Sequence, residues 1–586
     1  MTKKLIHSRF ELIAVDYSAN VAIATESSTY TYHQLNTVAN QVAGILIKSG
    51  LTGSPVGLFM QAGFSYIAGF LGVAKSNNLL MPIDPSHPES RLISILERVK
   101  PKIFFTSNAK ETQSLINYID KIHADSGDIE IYQIDESEKE TAIIHKVSGG
   151  QKETIVFNPD ELQNPDLDID PNNSIYLIYT SGSTGTPKII EGKHKSLDHF
   201  IHWEKKIVKT EQSIKTCLLA PITFDVSFRD ILLPLTSGGI VNIPSEETKS
   251  SSILLLKFFE KFEVSALHAV PSLLRVLSKE LKESVTLKTT IRSLEYILLA
   301  GEALFGRDVI NWRKYSDSPA QLVNLYGPSE STLAKVFYQI KDTDELKEQE
   351  IIKLGSPIDN TAILIIKNNR LCEIGEIGEI CIKTPFLSAG YYDDEQLTSE
   401  KFVQNPLHTE FEDKVYKSGD LGKYDADRSI LYIGRMDQQV KIRGNRVELG
   451  DIESTLLEHP QVEQVVVTSA LNDDNEVKLS CYYIGSESIG NDAVIKYLTE
   501  RLPDYMVPQY FMEMEEFPLN LNGKVNRKAL PEISNSVEEQ YSPVIGDTEI
   551  ALEEIWKGVL KMDRIGRDAS FFNLGGSSLN AIQVIS

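Results

Sequence analysis

Cysteine is scarce in this chain: four in 586 residues (Cys217, Cys372, Cys381 and Cys481), far apart and with no CxxC pair. Such spacing supports neither a disulfide framework nor a zinc site, and the four read as reduced thiols of a cytoplasmic protein. Excess positive charge is missing too, since 59 Lys and Arg face 82 Asp and Glu for a formal net charge of -23. A field of that sign repels nucleic acid and anionic membrane, so neither is an expected partner. Any polyphosphate ligand must then be held by a local basic site. The N-terminal MTKKLIHSRFELIAVDYS has no apolar run of signal-peptide length, which argues against export. Residues 56–74 carry no charge, and about 20 apolar residues can cross a bilayer. They read instead as a buried strand (VGLFM), a turn at Gln61-Ala62-Gly63 and a buried helix (FSYIAGFLGVAK) stopped by Ser-Asn-Asn. Internal repeats and low-complexity tracts are absent.

What is present is a globular composition, 41% hydrophobic and 24% charged, on a chain long enough for about three or four compact units. Between residues 29 and 432, short apolar runs such as IYLIY (175–179) and YILLA (296–300) alternate with longer helical patterns. That is the signature of an α/β unit with parallel sheets. After GRMDQQVKIRG comes a smaller α+β block: a helix from about Leu449, then the strands VEQVVVTSAL and VKLSCYYIG. The expected boundaries are 1–435 for the large unit, 436–530 for the small one and 531–546 for a Pro, Ser, Asn, Glu and Gly-rich linker. Residues 547–586 open with an amphipathic helix, EIALEEIWKGVLK, and stop as a second begins.

The segment IYLIYTSGSTGTPK (175–188) runs a hydrophobic strand into a loop of small residues: Thr180, Ser181, Gly182, Ser183, Thr184, Gly185 and, at its end, Lys188. Glycines let the backbone curl around phosphate oxygens, and amides, hydroxyls and a lysine supply donors and charge. The GxxxxGK[ST] spacing of a Walker loop is missing. A plain surface loop is the alternative, against which stand the strand before it and the lysine after it.

TSGSTGTPK resembles the phosphate-loop signature of adenylate-forming enzymes, a superfamily that includes nonribosomal peptide synthetase adenylation domains, acyl-CoA ligases and luciferases of the firefly type. Further segments resemble that family's motifs in family order: YTYHQL (30–35), KSNNLLMPIDPSHPESRL (75–92), FDVSF (224–228), NLYGPSE (324–330), YKSGDL (416–421), GRMDQQVKIRGNRVELGDIE (434–453), LPDYMVP (502–508) and NGKVNR (522–527). DASFFNLGGSSL resembles the peptidyl carrier signature, whose serine bears 4′-phosphopantetheine; here that serine is Ser578. The implied fold is a large adenylation core of mixed sheets and helices, a small mobile α+β domain, and a helical carrier segment over 547–586 that ends short of a complete carrier. Two residues depart from the family pattern, Ile189 for the usual glycine and Asn526 for the commoner aspartate.

The resemblance also implies roles. Tyr326 would stack on adenine, Glu330 would hold Mg²⁺, Asp420 would accept from the ribose hydroxyls, and Arg435 would reach ribose or phosphate. Lys524 would bridge carboxylate and phosphate while an amino acid attacks the α-phosphorus of ATP. Asp437 would be the hinge about which the small domain turns to present Lys441 for thioester formation. Chemistry of this kind needs no side-chain nucleophile; it needs neutralised charge and positioning. The implied partners are an amino acid, the carrier, downstream synthetase modules and, as a candidate, a small activator protein.

In amino-acid-activating members the aspartate matching Asp225 pairs with the substrate's α-ammonium. The remaining pocket positions would be Val226, Arg229, His268, Leu298, Ala300, Leu325, Leu333 and Ala334, closed by Lys524. Most are apolar. A buried arginine requires an anion, so Arg229 points either to an acidic substrate (aspartate, methylaspartate or glutamate) or to an acid within the protein. Rival functions are a standalone acyl-CoA or aryl-acid ligase, which Asp225 and the carrier signature disfavour, and a scaffold without chemistry, against which stand Lys524, Glu330 and Asp420.

Overall fold

The computed structural model describes residues 5–567 apart from 123–128, 137–141, 149–150, 181–186, 210–212, 290, 437–438, 473–474, 487–488, 519–524, 534–541, 561 and 563, and describes residue 584 beyond them. The chain divides into two compact units, one built from Met1–Thr180, Lys188–Ser245 and Leu256–Asp437, the other chiefly from Gln438–Ser586.

The uncharged run near the N-terminus is the strand Pro55–Phe59 followed by the helix Phe64–Lys75, every residue of which is buried. It lies inside the large unit's core, packed with the helix Tyr32–Lys48. Lys75 ends the run, and its ammonium, 1% exposed, bonds the Oδ1 atoms of Asn36, Asn40 and Asn164 at 2.7, 2.8 and 2.9 Å and pairs with Glu11 at 3.0 Å. Burial pulls this amine down to about 8, with Glu11 opposing. Among the described residues no helix is long and apolar enough to cross a membrane.

Two nine-stranded mixed sheets carry the large unit. In the first, a parallel run places Ala266–Ala269, Tyr296–Leu299 and Gln321–Tyr326 side by side, with His268 level with Leu298. An antiparallel strand, Val336–Gln339, closes on Gln321–Tyr326. In the second, Ser174–Thr180 and Lys188–Lys193 form an antiparallel pair with Thr180 opposite Lys188. Gly192 faces Tyr176 there so closely that a Cβ would fall 1.9 Å from the ring, so no other residue fits. A third sheet is antiparallel in every pairing, in keeping with the mixed sheets the resemblance implies; it holds Lys414–Tyr424 against Ile430–Arg435. The pairs Ala362–Lys367 with Arg370–Leu371 and Lys414–Tyr424 with Ile430–Arg435 are joined by short turns, which only antiparallel neighbours allow.

The small unit has its own core, built on the antiparallel strands Val462–Leu471 and Val477–Gly485, the parallel strand Tyr510–Glu513 and the helices Leu449–Leu457 and Asn491–Thr499. Among the described residues the helix Asp547–Leu560 is the last long element. All four cysteines are buried and none is in a disulfide.

Candidate active site

Asp225 stands at the entrance to the helix Ser227–Leu235, where its carbonyl accepts from Phe228 N at 3.0 Å. Its side chain is 4% exposed; Oδ1 accepts from Ser329 Oγ at 3.0 Å, and Oδ2 has no hydrogen-bond partner among the described residues. Burial, opposed by the bond from Ser329 and reinforced by the charge of Glu330, pushes the carboxyl above its ordinary range. Val226 follows, and Arg229 lies in the first turn. Leu298, Leu325, Leu333 and Ala334 belong to one buried cluster, against which Val226 and Ala300 pack. The wall carrying Leu333 is strained: Thr332 and Leu333 both have left-handed backbone, φ 62° and 61°, costly for residues with a Cβ. Gly327 permits it, since a Cβ there would sit 2.3 Å from Leu333 O.

Arg229 does not wait for a substrate carboxylate. Its Nε and Nη2 donate to Glu204 Oε1 at 2.9 and 2.6 Å, with Arg229 2% and Glu204 0% exposed. His268 lies 2.6 Å from Asp230 through Nδ1 and 3.5 Å from Glu204 through Nε2. Burial alone would lift the Glu204 carboxyl, but the charges of Arg229 and His268 bring it to about 2. Burial and Arg229 both press the His268 imidazole down, and the two acids outweigh them so that it titrates above its ordinary value. The acid that answers Arg229 is internal, and the expectation of an acidic substrate loses its basis. Glu204 escaped notice because the helix His194–Ile207 reads HKSLDHFIHWEKKI; a glutamate beside two lysines looks solvated until the helix is packed.

The expected nucleotide residues also assemble. Tyr326 Oη donates to Asp420 Oδ2 at 2.5 Å, and Arg435 Nη1 donates to Asp420 Oδ1 at 2.6 Å. Asp420 and Arg435 face each other across adjacent strands, and Asp420 N is held by Ser418 Oγ at 3.1 Å. Burial and then the charge of Asp420 push the Tyr326 phenol well above its ordinary range. Glu330, 1% exposed, accepts from Tyr391 Oη at 2.6 Å, and its carbonyl accepts from Ser388 N at 3.0 Å. Tyr391 and Ser329, both missed from sequence, lie in GYYDD and GPSE, strings whose contacts only the fold supplies. Thr180 and Lys188 sit on facing strands at either end of the loop. Lys441 lies on the hairpin strand Gln439–Ile442 of the small unit, opposite Arg446. Ser181, Gly182, Ser183, Thr184, Gly185, Asp437, Lys524 and Ser578 lie outside the described residues. No cluster of His, Cys, Asp and Glu suited to a metal ion occurs among the described residues.

Residues 10–392 match the family of AMP-binding enzymes, 451–524 the AMP-binding enzyme C-terminal domain, and 551–586 the phosphopantetheine attachment site. Tyrocidine synthase 1 of Brevibacillus parabrevis is 32% identical over 589 residues, an alignment taking in 100% of this chain and 50% of that protein. Bacitracin synthase 3 of Bacillus licheniformis is 32% identical over 584 residues, covering 99% and 8%. The chain therefore spans half or less of the length of these relatives. Among solved structures, NpsA-ThdA, an artificially fused adenylation-PCP di-domain from Klebsiella oxytoca, has a TM-score of 0.70 at 20% identity, covering 87% of this chain and 93% of that one. The Vibrio cholerae adenylation domain AlmE, in complex with glycyl-adenosine-5′-phosphate, has a TM-score of 0.74 at 18% identity, covering 90% and 97%. At those identities the likeness is one of fold. With two thirds of its length matched in one block and the two accompanying segments following in order, this chain belongs to the AMP-binding enzymes and carries their C-terminal domain and a phosphopantetheine attachment segment.

Proposed function

We propose that the chain activates an amino acid with ATP, forming an aminoacyl adenylate and diphosphate, and then passes the acyl group to a phosphopantetheine thiol on Ser578 in nonribosomal peptide synthesis. The observation that carries the reading is Asp225: a carboxylate 4% exposed, with Oδ2 lacking a hydrogen-bond partner among the described residues, next to Val226, which packs on an apolar cluster. A buried carboxylate needs a cation, and the α-ammonium of an amino acid is one of matching size. An acyl or aryl acid would bring none.

In this reading the adenosine lies against Tyr326 and the pre-bonded Asp420 and Arg435, and the loop 180–188 takes the phosphates with Lys188. Mg²⁺ fits beside Glu330, whose carboxylate Tyr391 already orients; when bound, the ion neutralises developing phosphate charge. Lys524 serves adenylation and Lys441 thioester formation, each presented by the same small domain as it turns about a hinge at Asp437. The carrier at 547–586, joined through the linker 531–546, is the acceptor. Downstream modules, and a small activator protein, are the proposed partners, in the cytoplasm.

The test is amino-acid-dependent ATP/diphosphate exchange. Wild type should support exchange with at least one amino acid, and Lys524→Ala should lose most of it while ATP still binds, because that charge acts chiefly on the transition state. Exchange at the wild-type rate in Lys524→Ala would reject the assignment.

A further inference from the structure

A second buried cation lies in the same cluster, and it is less well matched than Arg229. Lys335 follows Ala334 directly and is 0% exposed. Its ammonium donates to Thr332 O at 2.6 Å, the carbonyl that the left-handed turn at Thr332 and Leu333 presents. The Phe200 ring centroid lies 5.7 Å away, and the same ring has the Arg229 guanidinium carbon at 5.5 Å. Two cations thus flank one ring. Arg229 has a carboxylate bonded twice. Lys335, among the described residues, has no ion pair and no second acceptor.

An ammonium has three donors and no acceptor. Taking it out of water with one carbonyl in hand is costly, and burial draws the amine down to about 7, with the charge of Asp225 pulling the other way. The site is on the pocket side of the sheet: Leu325, a pocket position, pairs with Phe337, two residues past Lys335, and Trp203 packs on Phe337 with centroids 5.1 Å apart. Trp203, Phe200 and Glu204 all belong to the helix His194–Ile207, which therefore faces Arg229 and Lys335 alike.

We propose that Lys335 is a specificity-determining residue of the amino-acid pocket, donating to an oxygen acceptor on the substrate's side chain. The inference rests on the function proposed above and assigns to Lys335 the selectivity that Arg229, already neutralised, cannot exert. The substrate class is an amino acid bearing a side-chain hydroxyl or carboxamide oxygen. A site built to donate to such a group rejects the near-isostere without it, because the donor is then buried unmet.

The experiment is the exchange assay on matched pairs, threonine against valine and asparagine against leucine, with aspartate and glutamate alongside, for wild type and Lys335→Met. In wild type the acceptor-bearing member should lead its partner by about tenfold or more, and in Lys335→Met that lead should shrink to near parity. A lead by threonine, serine, asparagine or glutamine bears the inference out, and a lead by aspartate or glutamate overturns its neutral-acceptor class. Met keeps the chain length and removes a buried charge, so the variant's unfolding midpoint should equal or exceed that of wild type. Should it not fold, the wild-type ratios decide alone. Valine or leucine leading in wild type, or an unchanged ratio in a folded Lys335→Met, overturns the inference and leaves the function standing. Exchange with no amino acid overturns both.

Discussion

Arg229→Met should destabilise the large unit severely, and the loss should be recoverable at Glu204. Glu204 is 0% exposed; among the described residues both hydrogen bonds to its carboxylate come from Arg229, and His268 Nε2 lies 3.5 Å away. Its carboxyl titrates at about 2 against an ordinary 4.5. At about 1.4 kcal/mol for each pH step of that gap, the folded environment favours the charged form by roughly 3 kcal/mol. Removing one side of such a pair costs about 3–5 kcal/mol, since the survivor is buried and unmatched. Urea unfolding followed by tryptophan fluorescence suits the measurement, because Trp203 and Trp312 are both buried in this unit. The double variant Arg229→Met, Glu204→Leu should recover most of the loss, as apolar replacements of buried pairs often do. Because the folded carboxyl lies below its unfolded value, the stabilisation is complete above pH 4.5 and disappears as the pH falls towards 2. The gap between wild type and Arg229→Met should therefore narrow over that range. A single variant within about 1 kcal/mol of wild type, or a double variant no better than the single, would refute the argument.

Lys441→Ala should spare exchange and slow loading of the thiol, and equal loss in both steps would contradict separate roles for Lys441 and Lys524. On a complete carrier, mass spectrometry should place phosphopantetheine on Ser578; finding it on Ser577 would shift the register by one. Tyr391→Phe removes the hydrogen bond to Glu330, worth about 1.5–3 kcal/mol for a charged acceptor. It should raise the Mg²⁺ concentration needed for half-maximal exchange and weaken Mn²⁺ binding measured by electron paramagnetic resonance; unchanged metal dependence would separate Tyr391 from the site. His194 and His7 pack edge to face at 5.7 Å and are pulled by burial to about 4 and about 3. Their folded values lie below the unfolded 6.5, so stability is full above pH 6.5 and falls with acid from there towards 4. His194→Phe should flatten that part of the unfolding profile, and an unaltered profile would exclude these imidazoles as its source.

Parts of this were legible in sequence for different reasons. The stretch 56–75 could be read locally, because an uninterrupted apolar run with a turn inside it has few ways to satisfy its backbone, and the strand and helix fall where the pattern puts them. The strands Val462–Leu471 and Val477–Gly485 were equally plain. Tyr326, Asp420 and Arg435 could be grouped only through resemblance to a family, since the first two stand 94 positions apart and nothing local ties them. Glu204 and Lys335 were not legible at all. A charge in an amphipathic helix and a lysine at the start of a strand look solvated unless the tertiary fold says which face is covered. That is why Arg229 left two readings open and only packing chose between them.

The burial of the four cysteines has a consequence for selectivity between nucleophiles. An acyl adenylate is an electrophile that any exposed thiolate can intercept, and a protein that makes one while presenting a prosthetic thiol must keep its own sulfurs from competing. Cys217 and Cys481 are 0% exposed, Cys381 2% and Cys372 5%. Burial pushes the Cys381 thiol up to about 12 and raises Cys372 and Cys481 as well. Those three are shielded twice, by the lack of an approach path and by the scarcity of thiolate at neutral pH, and Cys217 by the lack of a path. In the proposed reaction, self-acylation of these side chains would be suppressed without any device at the active centre, and the acyl group would be left to the pantetheine sulfur.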